Sequence, residues 1–365
     1  MTGQPTKPLV LITGAGGNLG RSIGTALSRE YTVAGLDRSA ASEPFPIIEA
    51  ELTSGEAITA ALAQIREEHG TRIASVIHLA AFFDFSGEEH PLYRKLNVEG
   101  TRLLLRALRE FEVEQFLYTS TMLVHRPGRP GEVIDEDQPI DPQWAYPKSK
   151  AEAERVIEEE AGEIPVALLR LAGVYDDETM VPTLAQQIAR VYERDFESHL
   201  YSGRRDAGQA MLHRDDMLDA IRRTVDRRHD LPRRTALLIG EPETIGYDAL
   251  QDEIGHLVHG QEEWPVLRIP KPLAAAGAWA QEKLEPLIPD AIDKGEEPFI
   301  KPFMVRMADD HYALDISRAQ TLLGWAPHHR LKDELPAMIA NLKRDPPGWY
   351  RANKVTPPKE WPTPA

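Results

Sequence analysis

The chain has 365 residues, enough to bury a sizeable core without covalent staples, and its 42% hydrophobic and 27% charged content is ordinary for a globular protein. It contains no cysteine, which excludes disulfides, thiol catalysis and thiolate metal sites, and no metal ligand set is expected. A formal charge of −16 leaves no basic surplus to displace counterions from a phosphate backbone, so a nucleic-acid partner is not expected.

From Leu9 onward, short apolar runs alternate with helical stretches. Leu9–Thr13, Thr32–Leu36, Ile47–Glu49, Ser75–Leu79, Gln115–Thr119 and Val166–Leu171 read as strands. Leu19–Arg29, Gly55–Glu68, Pro91–Phe111 and Tyr146–Ala161 read as the helices between them. The alternation predicts an α/β fold with a parallel sheet covered on both faces. Beyond Arg170 it loosens, although Leu237–Ile239 still reads as a strand. Residues 1–172 are therefore assigned to the sheet domain, with a later strand returning near 211–240. Residues 173–210 and 241–343 are assigned to a smaller, interleaved C-terminal lobe. From Arg344 a polar, proline-rich tail runs over 344–365, and its prolines argue against a continued helix. Trp349, Tyr350 and Trp361 either lay this tail across the body or a neighbouring subunit, or leave it frayed. The first apolar run, Leu9–Ile12, is too short for a signal peptide, and the longest later one, Leu273–Ala280, is too short to span a bilayer. A cytoplasmic location without a membrane span is the default expectation.

Leu9–Ile12 runs directly into Thr13-Gly14-Ala15-Gly16-Gly17-Asn18-Leu19-Gly20. Glycines at 14, 17 and 20 permit a tight turn and close approach to a pyrophosphate, and the next helix offers free N–H groups to the anion. Asp37 ends the second strand, where a carboxylate accepts from a ribose 2′-OH and repels a 2′-phosphate; this favours NAD over NADP, though Arg38 beside it softens the preference. His78-Leu79-Ala80-Ala81 closes the fourth strand with small residues that let a cofactor pass, and His78 reads as a packed histidine rather than a base. Asn97 is placed to bridge backbone groups behind the cofactor. Tyr146 and Lys150 lie four apart on one helix face, where an ammonium is expected to lower the phenol's pKa. Tyr350 and Lys354 repeat that spacing among prolines, with no strand-borne hydroxyl before them, and read as coincidence.

Together with Thr119–Thr121, the Arg170–Tyr175 run, His213–Asp216 and Asp315–Pro327, these motifs resemble the extended short-chain dehydrogenase/reductase family, the NAD-dependent epimerase/dehydratase type. The resemblance covers nearly everything from Leu9 to Lys343. It implies a Rossmann-type doubly wound parallel sheet with an interleaved substrate lobe, and NAD as cofactor. It also implies a Thr–Tyr–Lys site: Thr121, with Ser120 as runner-up, holds the substrate oxygen; Tyr146 exchanges its proton; Lys150 lowers the Tyr146 pKa and bonds the nicotinamide ribose. Cofactor contacts are implied at Gly14, Gly17, Asn18, Leu19, Gly20, Asp37, Arg38, Leu52, Leu79, Ala80, Ala81, Asn97 and Thr119, besides Tyr146 and Lys150.

The reaction is less determined. Family dehydratases place acidic residues directly after the catalytic Thr, where this chain has Met122 and Leu123. Sugar-nucleotide epimerases bring arginines to a diphosphate: Arg306 occupies one such place, but Gln209 stands at the other, with Arg204, Arg205 or Arg214 as substitutes. Phe82, Phe83, Phe85 and Met122 suggest apolar walls, with Tyr175 a further substrate contact, and Pro270–Trp279 looks like the steroid- and dihydroflavonol-type branch. A net dehydrogenase or reductase acting on a secondary alcohol or ketone is expected, with a nucleotide-sugar epimerase as the alternative. A non-catalytic NAD(P)-sensing regulator is the third reading, against which the Tyr and Lys count. A small-molecule substrate is the expected partner. A homodimer through Pro91–Phe111 and Tyr146–Ala161 is expected from the resemblance.

Overall fold

Seven parallel strands form the central sheet: β1 (Leu9–Thr13), β2 (Thr32–Asp37), β3 (Ile47–Glu49), β4 (Ser75–His78), β5 (Phe116–Thr121), β6 (Val166–Leu171) and β7 (Arg234–Ile239), in the spatial order β7-β6-β5-β4-β1-β2-β3. The structure is a computed structural model, and it describes residues 7–42, 44–85, 87–284 and 302–358. β1 is buried at all five positions, as a strand covered on both faces must be. The order reverses at β1, which pairs with β2 on one side and β4 on the other. A crevice opens there beyond the strands' carboxyl ends, the usual place for a ligand in such a sheet.

Alternate β1 side chains enter two cores. Val10 and Ile12 face α1 (Asn18–Leu27) and α6 (Arg214–Asp226), with Ile23, Leu27, Met217 and Ile221. Leu9 and Leu11 face α2 (Gly55–His69), α3 (Thr101–Leu108) and α4 (Ala145–Glu160), with Ile58, Leu104 and Ile157. Between these two helical layers β7 joins the sheet beside β6, so a late stretch of chain completes an early sheet. A third core lies in the C-terminal lobe, among α5 (Pro182–Glu193), α7 (Tyr247–His259), α11 (Leu331–Arg344) and α12 (Pro346–Asn353). The lobe also carries α8 (Lys271–Leu284), α9 (Pro302–Met307) and α10 (Ser317–Leu323).

Two expectations need correction. The stretch read as one helix, Pro91–Phe111, contains a π-helix, Tyr93–Gly100, that continues into α3. The tail does form a helix. Pro346 and Pro347 occupy its first turn, where a missing N–H costs nothing, and the Asp345 side chain caps Gly348 N. Trp349 and Tyr350 are buried in the third core, and the Tyr350 hydroxyl bonds the Glu193 carboxylate. Trp361 lies outside the described residues. Among the described residues no helix is long and apolar enough to cross a membrane.

Candidate active site

The turn after β1 is built for close contact. Gly14 sits at φ +72°, and a Cβ there would lie 2.9 Å from Ala80 N at the end of β4. A Cβ on Gly20 would meet Gly14 O at 2.3 Å, so α1 can pack on the turn only without one. A Cβ on Gly17, by contrast, would make only an ordinary contact, 3.5 Å from Gly14 O, and no side chain bonds the first turn of α1. Its free N–H groups, with exposed Asn18 and half-buried Leu19 opening the helix, suit a pyrophosphate. Asp37 closes the turn from β2: its carboxylate accepts Gly16 N at 2.8 Å and Arg38 N at 2.7 Å. Arg38 itself is exposed. These residues fit a dinucleotide.

The far wall of the crevice comes from β4 and the π-helix. Leu79, Ala80 and Ala81 are half-buried at its floor. Asn97 donates to Phe82 O and accepts from Phe82 N, and its amide also donates to Ser149 Oγ, tying the β4 loop to α4. His78 is held between Thr13 Oγ1 at 2.6 Å and Thr101 Oγ1 at 2.8 Å, and burial pushes its imidazole down to about 3. It is a packed, neutral histidine. Thr119 donates to His78 O. Leu52 is buried in the second core, leaving only its backbone for a cofactor contact.

β5 delivers Thr121, whose Oγ1 accepts Leu123 N at 3.3 Å and keeps its own proton to donate. Ser120, the runner-up, is committed elsewhere: its hydroxyl donates to Glu154 Oε1 at 2.5 Å. α4, packed on β5, carries Tyr146 and Lys150. The Tyr146 ring stands among Phe83 (4.7 Å between centroids), Trp144 (5.7 Å) and Tyr93 (6.5 Å). That apolar surround raises the phenol's pKa, which corrects the expectation that Lys150 lowers it in the protein as it stands. The Lys150 ammonium lies 4.1 Å from the centroid of the Tyr118 ring, and burial brings its pKa down to about 7.

Trp144, Tyr93 and Phe303 were not singled out from the sequence. Phe85 contacts Trp144 and Phe303, and Phe82 stacks on His90 at 4.4 Å, so the aromatic wall extends away from Tyr146. Met122 and Tyr175 do not belong to that wall. Met122 is buried in the first core, and Tyr175 packs in the third with its hydroxyl bonded to Glu241. Glu154, which the sequence did not single out, is buried and pairs with Arg170 at 2.8 Å. Its place one turn beyond Lys150 was the available signal.

A cavity of about 510 Å³ lies in the C-terminal lobe, lined by Leu200, Tyr201, Met211, Tyr247, Ile269 and Met304, among others. Met304 directly follows Phe303 of the aromatic wall. Gln209 also lines it, but Arg306 is exposed and does not. The other arginines proposed for a diphosphate hold carboxylates: Arg204 with Asp206 (2.9 Å), Arg214 with Asp176 (2.6 Å) and Arg205 with Asp248 (3.8 Å). Arg190 reaches the lining, with Asp195 and Glu197 opposing the effect of its burial. Elsewhere, His213, Asp215 and His329 bring ligand atoms within 4.8 Å of one another. The two imidazoles stack at 3.9 Å and 19°, however, and such parallel rings cannot both aim a lone pair at one ion.

A doubly wound parallel sheet with a glycine turn at its switch point, closed by an acid from the second strand, defines a dinucleotide-binding protein of the Rossmann class. The sequence model described as the NAD dependent epimerase/dehydratase family matches residues 10–240, and the chain belongs to that family. It is therefore an NAD-dependent enzyme of the dehydrogenase, dehydratase or epimerase kind. Sterol-4-alpha-carboxylate 3-dehydrogenase, decarboxylating, of Saccharomyces cerevisiae is 24% identical over 278 residues, covering 73% of this chain and 75% of that one. A 4-hydroxy-2-methyl-3-oxo-4-farnesyl-3,4-dihydroquinoline-1-oxide ketoreductase of Stigmatella aurantiaca is 30% identical over 150 residues, 40% of this chain and 44% of that one. Among solved structures, dTDP-glucose 4,6-dehydratase of Bacillus anthracis in complex with NAD superposes with a TM-score of 0.68 at 16% identity, covering 95% of this chain and 100% of that one.

Proposed function

We propose that the protein is a net oxidoreductase that interconverts a hydrophobic secondary alcohol and its ketone. Thr121, Tyr146 and Lys150 carry the proton chemistry. The observation that carries this reading is the contrast between the two ends of the substrate space. Tyr146 is ringed by aromatic side chains, while Arg204, Arg205 and Arg214 are engaged with carboxylates and Arg306 lies outside the cavity lining. A diphosphate needs guanidinium groups that are not already neutralised, whereas a sterol-like or prenylated body needs the apolar wall. The names of two of the curated relatives, one for a sterol and one for a farnesyl compound, support the same class.

Bound NAD supplies the ring carbon that gives or takes the hydride. Thr121 Oγ donates to the substrate oxygen and orients it. The raised phenol of Tyr146 stays protonated at neutral pH, ready to donate to a ketone oxygen as negative charge develops there. Lys150, one helical turn along α4 from Tyr146, would favour the phenolate that remains through its charge. Met122 and Leu123, in place of acids after Thr121, offer no group for a dehydratase elimination.

The test is NADH absorbance during incubation with panels of sterol-like and prenyl secondary alcohols and, separately, nucleotide sugars. Net NADH formation with the apolar alcohols is expected. Epimerisation of a nucleotide sugar, with no net NADH and no response to the alcohols, would overturn the reading.

A further inference from the structure

Lys150 is 2% exposed, yet among the described residues no hydrogen bond or ion pair reaches its Nζ. A buried ammonium in that condition needs some other source of support. Two groups face it. The Tyr118 ring on β5 presents its π-face at 4.1 Å, a favourable cation–π distance. One turn along α4 stands Glu154, buried and fixed at both oxygens: Ser120 Oγ and Arg170 Nε donate to Oε1, and Arg170 Nη2 donates to Oε2. The remaining neighbours offer no negative charge. His78 from β4 stacks on Tyr118 and is neutral, Tyr146 holds its proton, Tyr93 lies beyond Tyr146, and Arg170 from β6 sits behind Glu154. The Tyr118 hydroxyl is itself buried without a hydrogen-bond partner, so this ring is not held there by a bond of its own.

We propose that Tyr118 and Glu154 are positioning residues for Lys150: the ring face and the fixed carboxylate together hold its ammonium in place and in its charged form. Ser120 and Arg170 serve the same end indirectly, by holding the Glu154 carboxylate at both oxygens and pointed inward. Burial alone drives the amine toward neutrality, and Glu154 is the carboxylate that opposes it. The proposal rests on the reading of Lys150 as a group that contacts bound NAD.

The test requires no substrate. NADH binding is followed by fluorescence from about pH 6 to about pH 9, with melting temperature recorded alongside. Wild-type affinity is expected to fall as Lys150 loses its proton, and Lys150→Met should remove that fall. In Glu154→Gln the fall should begin about one pH unit lower. In Tyr118→Leu it should begin about half a pH unit lower, while Tyr118→Phe, which keeps the ring, should follow wild type. Glu154→Gln strips Arg170 of its partner, so Tyr118→Leu carries the test if that variant does not fold. Lower melting temperatures with pH curves at the wild-type position would overturn the proposal and leave both residues merely structural. A wild-type curve in Lys150→Met would overturn the underlying reading of Lys150, and this proposal with it. A flat Lys150→Met curve beside unmoved Glu154→Gln and Tyr118→Leu curves would overturn this proposal alone.

Discussion

Phe83 meets the ring of Tyr146 edge-on, 4.7 Å between centroids, with 47% of its own surface still exposed. A large aromatic left half open beside the Tyr146 phenol offers apolar surface to the ligand proposed above. Phe83→Ala should raise KM for an apolar alcohol by about tenfold, the cost of losing one aromatic contact, while leaving the NADH dissociation constant unchanged. A KM within experimental error of wild type would remove Phe83 from the substrate wall.

Tyr146→Phe removes the proton and keeps the ring among Phe83, Trp144 and Tyr93. Turnover should fall by at least about 10²-fold, with NADH binding nearly intact. Retained turnover would sink the assignment of Tyr146.

Asp37 accepts two backbone N–H groups and has lone pairs left for ribose hydroxyls. Asp37→Ala should narrow the NADH over NADPH preference by about tenfold in direct binding measurements, because a charge-assisted bond and a repulsion are both lost. An unchanged ratio would count against the role given to this residue.

Acid should destabilise the fold through its buried histidines. His78 titrates near 3 and His125, beside Arg170, near 4; burial is the main cause in both. In the unfolded chain both have the ordinary value near ~6.5. As pH falls below that value the unfolded state takes up protons first, so stability is lost progressively down to the folded values, by roughly 1.4 kcal/mol per pH unit for each histidine. Buried Glu136 and Glu241, whose pKa values are raised, act in the opposite direction. Comparing wild type with His78→Asn by urea unfolding at about pH 7 and about pH 5 therefore isolates His78. The variant should lose about 2 kcal/mol less over that interval. Parallel losses would show that His78 is not held neutral.

The strands were legible where a run of apolar residues must be buried on both faces. Leu9–Thr13 and Val166–Leu171 are strands with the bounds the sequence suggests. The glycine turn was legible too, because a strand, a turn and a helix in that order leave few uses for three spaced glycines. What escaped depends on long-range packing. Helical position alone does not say which glutamates of Ala145–Glu160 point inward, so Glu154 looked like its charged neighbours until Arg170 arrived from another strand. Trp144 and Phe303 meet across more than a hundred residues, at 5.8 Å, and no local pattern announces that contact. Pro346 and Pro347 misled in the other direction: prolines that break a helix in its interior are well suited to begin one.

The ion pairs that occupy Arg204, Arg205 and Arg214 bear on how specificity in this lobe could be redirected. Three guanidinium groups are each paired with a nearby acid: Asp206, Asp248 and Asp176. Turning such a protein toward a diphosphate-bearing ligand would require deleting acids rather than acquiring arginines. Deletion is the shorter mutational path, since a lost carboxylate needs no new geometry. If the proposed preference for apolar substrates is held in this way, a few surface substitutions separate it from its opposite.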